Sequence, residues 1–244
     1  MTHQFAVLLA AAGKSRRFAD DETIVDAIDA SSKKPFVELC GQPVWQHSAA
    51  LFATDRRVRQ LIVVLSPEDR EFFESTYSHR IAQWSLELVD GGAERFASVE
   101  NGLRQVRPDI DFVAIHDAAR PCVTSELIDA VFLAAERYDA AIPAAPLVGT
   151  IKRAVSPDNA STLDISETVP RDDLWEAQTP QVFRRELIVD AFARRGETGV
   201  TDDSQLVENI GHMVKIVPSA GTNIKITTAS DLALARLIHA SREG

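Results

Sequence analysis

An apolar run, Phe5-Ala-Val-Leu-Leu-Ala10, breaks into the small residues Ala11, Ala12 and Gly13, and two arginines, Arg16 and Arg17, follow. Small residues let a backbone approach a ligand closely, and a glycine such as Gly13 has access to positive φ. Backbone N–H groups combined with guanidinium groups suit a polyphosphate. The Walker A and dinucleotide-binding glycine patterns are both missing, so the run by itself reads either as an ordinary strand–turn or as a phosphate site of another kind. Four further segments carry polar groups at the ends of strand-like runs. Asp90-Gly-Gly-Ala-Glu-Arg-Phe-Ala-Ser98 places two glycines between a strand and a helix. His116-Asp-Ala-Ala-Arg-Pro121 holds Asp117 and Arg120 three residues apart, as a structural ion pair or a substrate clamp. Thr150-Ile-Lys152 and Arg171 stand at the two ends of a hairpin-like stretch. In Thr222-Asn-Ile-Lys-Ile-Thr227, Lys225 alternates with isoleucines. A lysine there is costly unless it meets an anion or its stem snorkels its head to water.

The elements that position these groups follow an alternating strand and helix pattern. Apolar runs predict strands over residues 5–10, 61–65, 86–89, 112–116 and 140–143, with later strands over 214–217 and 223–226. Helical spacing predicts helices over 44–53, 68–75, 94–106 and 125–138, and another near the C-terminus, where Thr228 and Asp231 resemble a capping box. The expected fold class is α/β: a Rossmann-like, mostly parallel sheet with helices on both faces, whose ligands bind at the carboxyl ends of the strands. Two stretches interrupt the alternation. Residues 20–33 are polar and acidic, as expected of a mobile loop or lid. Residues 147–171 read as a protruding β-hairpin arm. Two isolated strands are marginal in water, and a second subunit is the economical partner for them.

At 244 residues the chain fits one domain over 1–244. It is long enough to bury about 70–75% of its unfolded surface. A net charge of −10 argues against non-specific nucleic-acid binding, which needs a basic footprint. The two cysteines, Cys40 and Cys122, are too few for a disulfide scaffold or a zinc site and read as buried thiols. No signal-peptide pattern and no membrane-length apolar run is present, so the cytoplasm is the expected compartment. Trp45, Trp84 and Trp175 read as packing residues. His116 reads as orienting its strand end by hydrogen bonding, and Asp202 and Asp203 as favouring a helix N-terminus.

Taken together, Ala-Ala-Gly-Lys-Ser-Arg-Arg-Phe, Gly-Gly-Ala-Glu-Arg-Phe-Ala-Ser-Val, His-Asp-Ala-Ala-Arg-Pro, Thr-Val-Pro-Arg-Asp-Asp-Leu-Trp-Glu-Ala-Gln-Thr-Pro-Gln, Val-Thr-Asp-Asp and Asn-Ile-Lys-Ile-Thr closely resemble the 2-C-methyl-D-erythritol 4-phosphate cytidylyltransferases of the non-mevalonate isoprenoid pathway. The resemblance runs over nearly the whole chain. It implies the nucleotidyltransferase fold, with the arm embracing a second subunit in a homodimer, and transfer of CMP from CTP to methylerythritol phosphate with release of pyrophosphate and a requirement for Mg²⁺. It implies backbone contacts to the nucleotide from Ala11, Ala12 and Gly13, and cytidine contacts from Gly92 and Ser98. Arg17 and Lys34 would grip the triphosphate, and Lys225 would reach the α-phosphate. Asp117, Arg120, Thr150, Thr179 and Thr201 would hold the acceptor, and Arg171 its phosphate from across the dimer interface. The chain departs from the family pattern in Ala93 and Gly149, where an aspartate is usual, and in a longer acidic stretch between Arg17 and Lys34. Three other readings remain open from sequence: a ribitol-5-phosphate cytidylyltransferase of the same fold, a sugar-1-phosphate nucleotidyltransferase, for which the chain is short, and a nucleotide-binding module without turnover.

Overall fold

The computed structural model describes residues 3–13, 34–156, 162–196 and 200–243. The expected loop over 20–33, together with Arg16 and Arg17, lies outside them, as does most of the expected turn at 156–159. In chain order the elements are β1 (Phe5–Ala10), β2 (Glu38–Leu39), β3 (Gln42–Pro43), α1 (Val44–Thr54), β4 (Val58–Leu65), α2 (Arg70–Thr76), α3 (Ser78–Trp84), β5 (Glu87–Asp90), α4 (Arg95–Leu103), β6 (Phe112–Asp117) and α5 (Ser125–Tyr138). There follow β7 (Ala140–Pro146), β8 (Ile151–Val155), β9 (Asp164–Val169), β10 (Trp175–Ala177), β11 (Gln181–Arg184), α6 (Arg185–Ala193), α7 (Asp203–Asn209), β12 (Lys215–Pro218) and α8 (Ala229–Glu243).

The central sheet runs β10-β7-β11-β6-β1-β4-β5, with β12 also paired to β7. Pairs among β1, β4, β5 and β6 are parallel, as is β7 with β12, while β10 and β11 run antiparallel. The carboxyl ends of β1, β4, β5, β6, β7 and β12 therefore open on one edge. The central strands β1 and β7, and the inner stretches of β4 and β6, are apolar because both faces are covered. In β1, Phe5, Val7 and Leu9 pack with Trp45, Phe52 and Phe132 of α1 and α5. Leu8 points the other way, into a cluster with Val99 and Leu103 of α4, Ile188 of α6 and Leu206 of α7. A smaller cluster, with Leu39, Cys122, Ile226, Leu232 and Ala235, seats α8.

Several expectations are matched closely. Helix α5 has the expected span, and the Thr124 hydroxyl caps it by accepting from the Leu127 N–H at 3.2 Å. Asp231 and Thr228 form the reciprocal box at the head of α8: the carboxylate accepts from the Thr228 N–H at 2.8 Å, and the Thr228 hydroxyl accepts from the Asp231 N–H at 3.3 Å. Strands β8 and β9 form a separate two-stranded hairpin with exposed Val155 and Ile165.

Three expectations are corrected. Residues 223–226 form no strand; they are an irregular segment held by side chains. Cys40 is exposed, in the tight β2–β3 turn at φ 49°, and only Cys122 is a buried thiol. Gly13 makes no use of its access to positive φ; among the described residues the glycines with positive φ are Gly41 and Gly211. The antiparallel β10 and β11, and helix α6, are additional to the sequence expectation. No helix among the described residues is long and apolar enough to cross a membrane.

Candidate active site at the carboxyl edge

A cavity of about 280 Å³ opens at the carboxyl edge of the sheet, between the ends of β1 and β6, the β5–α4 loop and the 223–226 segment. Its walls include Ala11, Ala12, Gly13, Pro35, Gly92, Arg95, Ser98, Asp117 and Lys225. Sequence-distant motifs meet here because parallel strands put all their carboxyl ends on one edge.

Backbone geometry explains the small residues. The Ala11 N–H donates to the Val64 carbonyl at 2.9 Å, which ends β1 beside β4. Gly91 lies so close that a Cβ there would stand 2.6 Å from the Ala12 Cβ and 3.1 Å from the Leu65 carbonyl oxygen, a contact only glycine avoids. The next residue, Gly92, donates its N–H to the Ser98 hydroxyl at 3.1 Å, and that hydroxyl donates to the Glu94 carbonyl at 3.0 Å. Ser98 thus folds the glycine loop onto the first turn of α4.

Asp117, the last residue of β6, is the electrostatic centre. Its Oδ2 accepts from Lys225 Nζ at 2.6 Å and its Oδ1 from Arg95 Nε at 3.4 Å. Burial by itself would raise this carboxyl. Lys225, then Arg95, more than reverse that and hold it well below the usual carboxylate range. Arg95 continues the network, donating from Nη2 to Oδ2 of the fully buried Asp203 at 2.6 Å. Burial works against the Arg95 charge, but Asp203 and Asp117 outweigh it and raise the guanidinium's pKa. On Asp203 burial is the larger influence and pushes the carboxyl up, opposed by Arg95.

A second, buried network places Lys225. Arg120 donates from Nη1 to the Asn223 carbonyl at 2.7 Å and from Nη2 to the Ala177 carbonyl at 3.4 Å. Asn223 donates its amide to the Gln178 side-chain oxygen at 3.1 Å and to the Thr179 carbonyl at 3.0 Å. The Ile226 N–H donates to the Ala119 carbonyl at 2.8 Å, and the Ile226 side chain is fully buried. These bonds pair the Asn223 amide N–H groups and carbonyl and the Ile226 N–H, which lets an irregular segment lie at this depth.

Of the residues singled out from sequence, Ala11, Ala12, Gly13, Gly92, Ser98, Asp117 and Lys225 are brought together at the cavity. Arg120 is not part of its wall: the guanidinium faces backbone carbonyls, so neither an ion pair with Asp117 nor an open clamp is formed. Thr179 lies beneath, accepting from the Asp117 N–H at 3.1 Å. Thr150 and Arg171 are at the base of the arm, where Arg171 donates to the Val148 carbonyl. Thr201 hydrogen-bonds Gln205 at the entry to α7. Arg17 and the side chain of Lys34 lie outside the described residues, although Pro35 borders the cavity.

Arg95, Asp203, Asn223 and Gln178 were missed by the sequence reading. Arg95 did leave a signal: a cation in the first turn of a helix opposes the macrodipole and needs an anion to hold it there.

His116 is buried, with Nδ1 3.1 Å from the Thr179 hydroxyl and Nε2 3.2 Å from the Arg120 carbonyl. Facing a carbonyl, Nε2 carries the proton; Nδ1 then accepts from the Thr179 hydroxyl. Burial is the main force on this ring and pulls its pKa down to about 4 from 6.5. Neutral in the fold and protonated when unfolded, it contributes stability that is complete above pH 6.5 and is lost as pH falls towards 4. That contribution is about 3 kcal/mol. Urea unfolding at pH 7 and pH 5 should show the larger part of this loss in the unsubstituted protein and a shallower loss in His116→Gln. Equal slopes would remove His116 as the source. The Asp117 contribution has its own window, lost only as pH falls below the ordinary value of 3.8.

A family model described as 2-C-methyl-D-erythritol 4-phosphate cytidylyltransferase matches residues 5–241. Among curated relatives, the protein of that description from Caldanaerobacter subterraneus is 40% identical over 236 residues, covering 95% of this chain and 97% of the relative. One from Geobacillus kaustophilus is 37% identical over 240 residues, covering 98% of both. Among solved structures, the Thermus thermophilus enzyme of the same name superposes with a TM-score of 0.73 at 29% identity, covering 96% of this chain and 98% of that one. The 4-diphosphocytidyl-2C-methyl-D-erythritol synthase from Anaerococcus prevotii gives a TM-score of 0.78 at 25% identity, covering 98% and 97%.

Proposed function

The chain belongs to the 2-C-methyl-D-erythritol 4-phosphate cytidylyltransferase family, and from that premise we propose how its cavity carries out the transfer of CMP from CTP to methylerythritol phosphate. A phosphate oxygen of the acceptor forms a bond to the α-phosphorus of CTP; the bond from that phosphorus to the oxygen bridging to the β-phosphate breaks, and pyrophosphate leaves with the electron pair. The attacking oxygen is already anionic near neutral pH, so the step needs no strong general base. The barrier is the approach of two anions, and catalysis is positioning plus charge neutralisation.

The observation that carries this reading is Lys225, with its ammonium at the cavity wall, 2.6 Å from Asp117 and beside the Ala11–Gly13 backbone. In the proposed roles Ala11, Ala12 and Gly13 face the triphosphate, Gly92 and Ser98 shape the cytidine pocket, and Arg17 and Lys34 add positive charge. Asp117 and Thr179 lie on the acceptor side. Mg²⁺ takes oxygen ligands and is commonly held by one or two carboxylates with substrate phosphates. Both Asp117 oxygens already face cations, and the described residues contain no cluster of three acidic, His or Cys groups able to hold a metal. The donor set therefore suits Mg²⁺ arriving on CTP as part of the substrate. A homodimer fits the arm, whose two strands would be marginal alone, and Arg171, Thr150 and Thr201 would then act at an acceptor site completed by the partner.

Pyrophosphate release with Mg·CTP and either methylerythritol 4-phosphate or ribitol 5-phosphate tests the assignment. Turnover with the first alone is expected. Turnover with ribitol phosphate alone would move the substrate while keeping the chemistry, and silence with both would leave a nucleotide-binding module. Arg171→Ala is expected to raise KM for methylerythritol phosphate by about 10- to 100-fold, as for loss of a charged hydrogen bond, with KM for CTP unchanged. An unchanged acceptor KM would take Arg171 out of the site.

A further inference from the structure

One carboxylate, Asp117, faces two cations in unequal contact. Lys225 holds Oδ2 at 2.6 Å, whereas Arg95 stands loosely at 3.4 Å from Oδ1. As Lys225 turns its donors towards an α-phosphate its hold on Asp117 weakens, and a buried carboxylate without a partner is strongly disfavoured. Arg95 is anchored from behind by Asp203 at 2.6 Å. Among the described residues, Nη1 of Arg95 and Oδ1 of Asp203 are buried without a hydrogen-bond partner, so the pair has bonding capacity in reserve. The anchor also explains why a cation occupies the first turn of α4 against the helix dipole.

We propose that Arg95, held by Asp203, is a positioning residue that becomes the remaining ion-pair partner of Asp117 when Lys225 turns to the triphosphate. The ammonium is released to the substrate at little electrostatic cost because the carboxylate it leaves remains neutralised. Without Arg95, Asp117 would retain Lys225 and compete with the nucleotide for it. The inference rests on the proposed role of Lys225 at the phosphates.

The test is direct binding of Mg·CTP by titration calorimetry, without acceptor, in a double-mutant cycle. Arg95→Ala is expected to weaken CTP binding by about 10- to 100-fold, the range for a hydrogen bond to a charged group. In an Asp117→Asn background, where no carboxylate needs a counter-ion, the same change should cost no more than about twofold, the scatter for independent sites. Guanidinium ion should restore part of the binding to Arg95→Ala and none to the double variant. Asp203→Asn, a near-isosteric change that loosens the anchor, should follow the same pattern with a smaller loss, and it carries the test if Arg95→Ala does not fold. Equal losses in both backgrounds would mean that Arg95 acts on the nucleotide or on the fold, and would overturn the proposal, as would no loss at all. Failure of the unsubstituted protein to bind Mg·CTP would overturn the activity reading and this inference with it. Normal binding with equal losses would overturn the inference alone.

Discussion

Lys225→Ala is expected to lower kcat/KM for CTP by about 10²- to 10³-fold, the effect of removing one preorganised electrostatic donor from a transition state. The change should leave the fold intact. The Lys225 side chain is 42% exposed, and its ion pair is with Asp117, which would still be faced by Arg95. The segment itself is held through Asn223, Arg120 and buried Ile226, none of which needs the ammonium. Steady-state pyrophosphate release measures the loss, and an unchanged melting temperature separates it from unfolding. Lys225→Arg should recover only part of the rate, because a planar guanidinium does not reproduce a point charge at the end of a flexible stem. Near-normal kcat and kcat/KM in Lys225→Ala would remove the residue from the mechanism.

Trp45→Ala should have the largest effect on stability, about 3–5 kcal/mol. Trp45 is fully buried on α1 and packs against Phe73 of α2, Tyr77 and Trp84, with ring centroids at 4.8, 5.2 and 6.0 Å. Removing the indole leaves a void among three aromatic rings that cannot all close over it, so the lost transfer energy is joined by a cavity cost. Set against a total stability of about 5–15 kcal/mol, this is a large share. Urea unfolding should show a lower midpoint at unchanged m-value. Because Trp45 does not line the cavity, the folded fraction should retain its kcat. A loss below about 1 kcal/mol would mean that α2 and α3 collapse into the space.

Local patterning was enough to read the alternation of elements. Continuous apolar runs marked β1, β4 and β6 because each is buried on both faces, and 3.6-residue spacing marked α5. The polar residues at the strand ends, from Gly13 to Lys225, could likewise be singled out, since charge beside an apolar run has few inexpensive explanations. Short antiparallel strands could not: Trp-Glu-Ala in β10 and Gln-Val-Phe-Arg in β11 are too brief to show a period, and they exist because β7 and β6 offer them edges. The 223–226 segment misled for the opposite reason. Its alternation matches a strand, yet Arg120, Gln178 and Thr179 bind it through Asn223 in place of a neighbouring strand.

Which charges meet was decided only by the tertiary structure. Asp117 pairs with Lys225, and Arg95 with Asp203, each across 108 positions of sequence. Arg120, three residues from Asp117, turns away to carbonyls at 2.7 and 3.4 Å. Periodicity records what each residue buries against its immediate element. Ion-pair partners depend on which strand ends the parallel sheet brings to the same edge, and that is a property of the assembled topology alone.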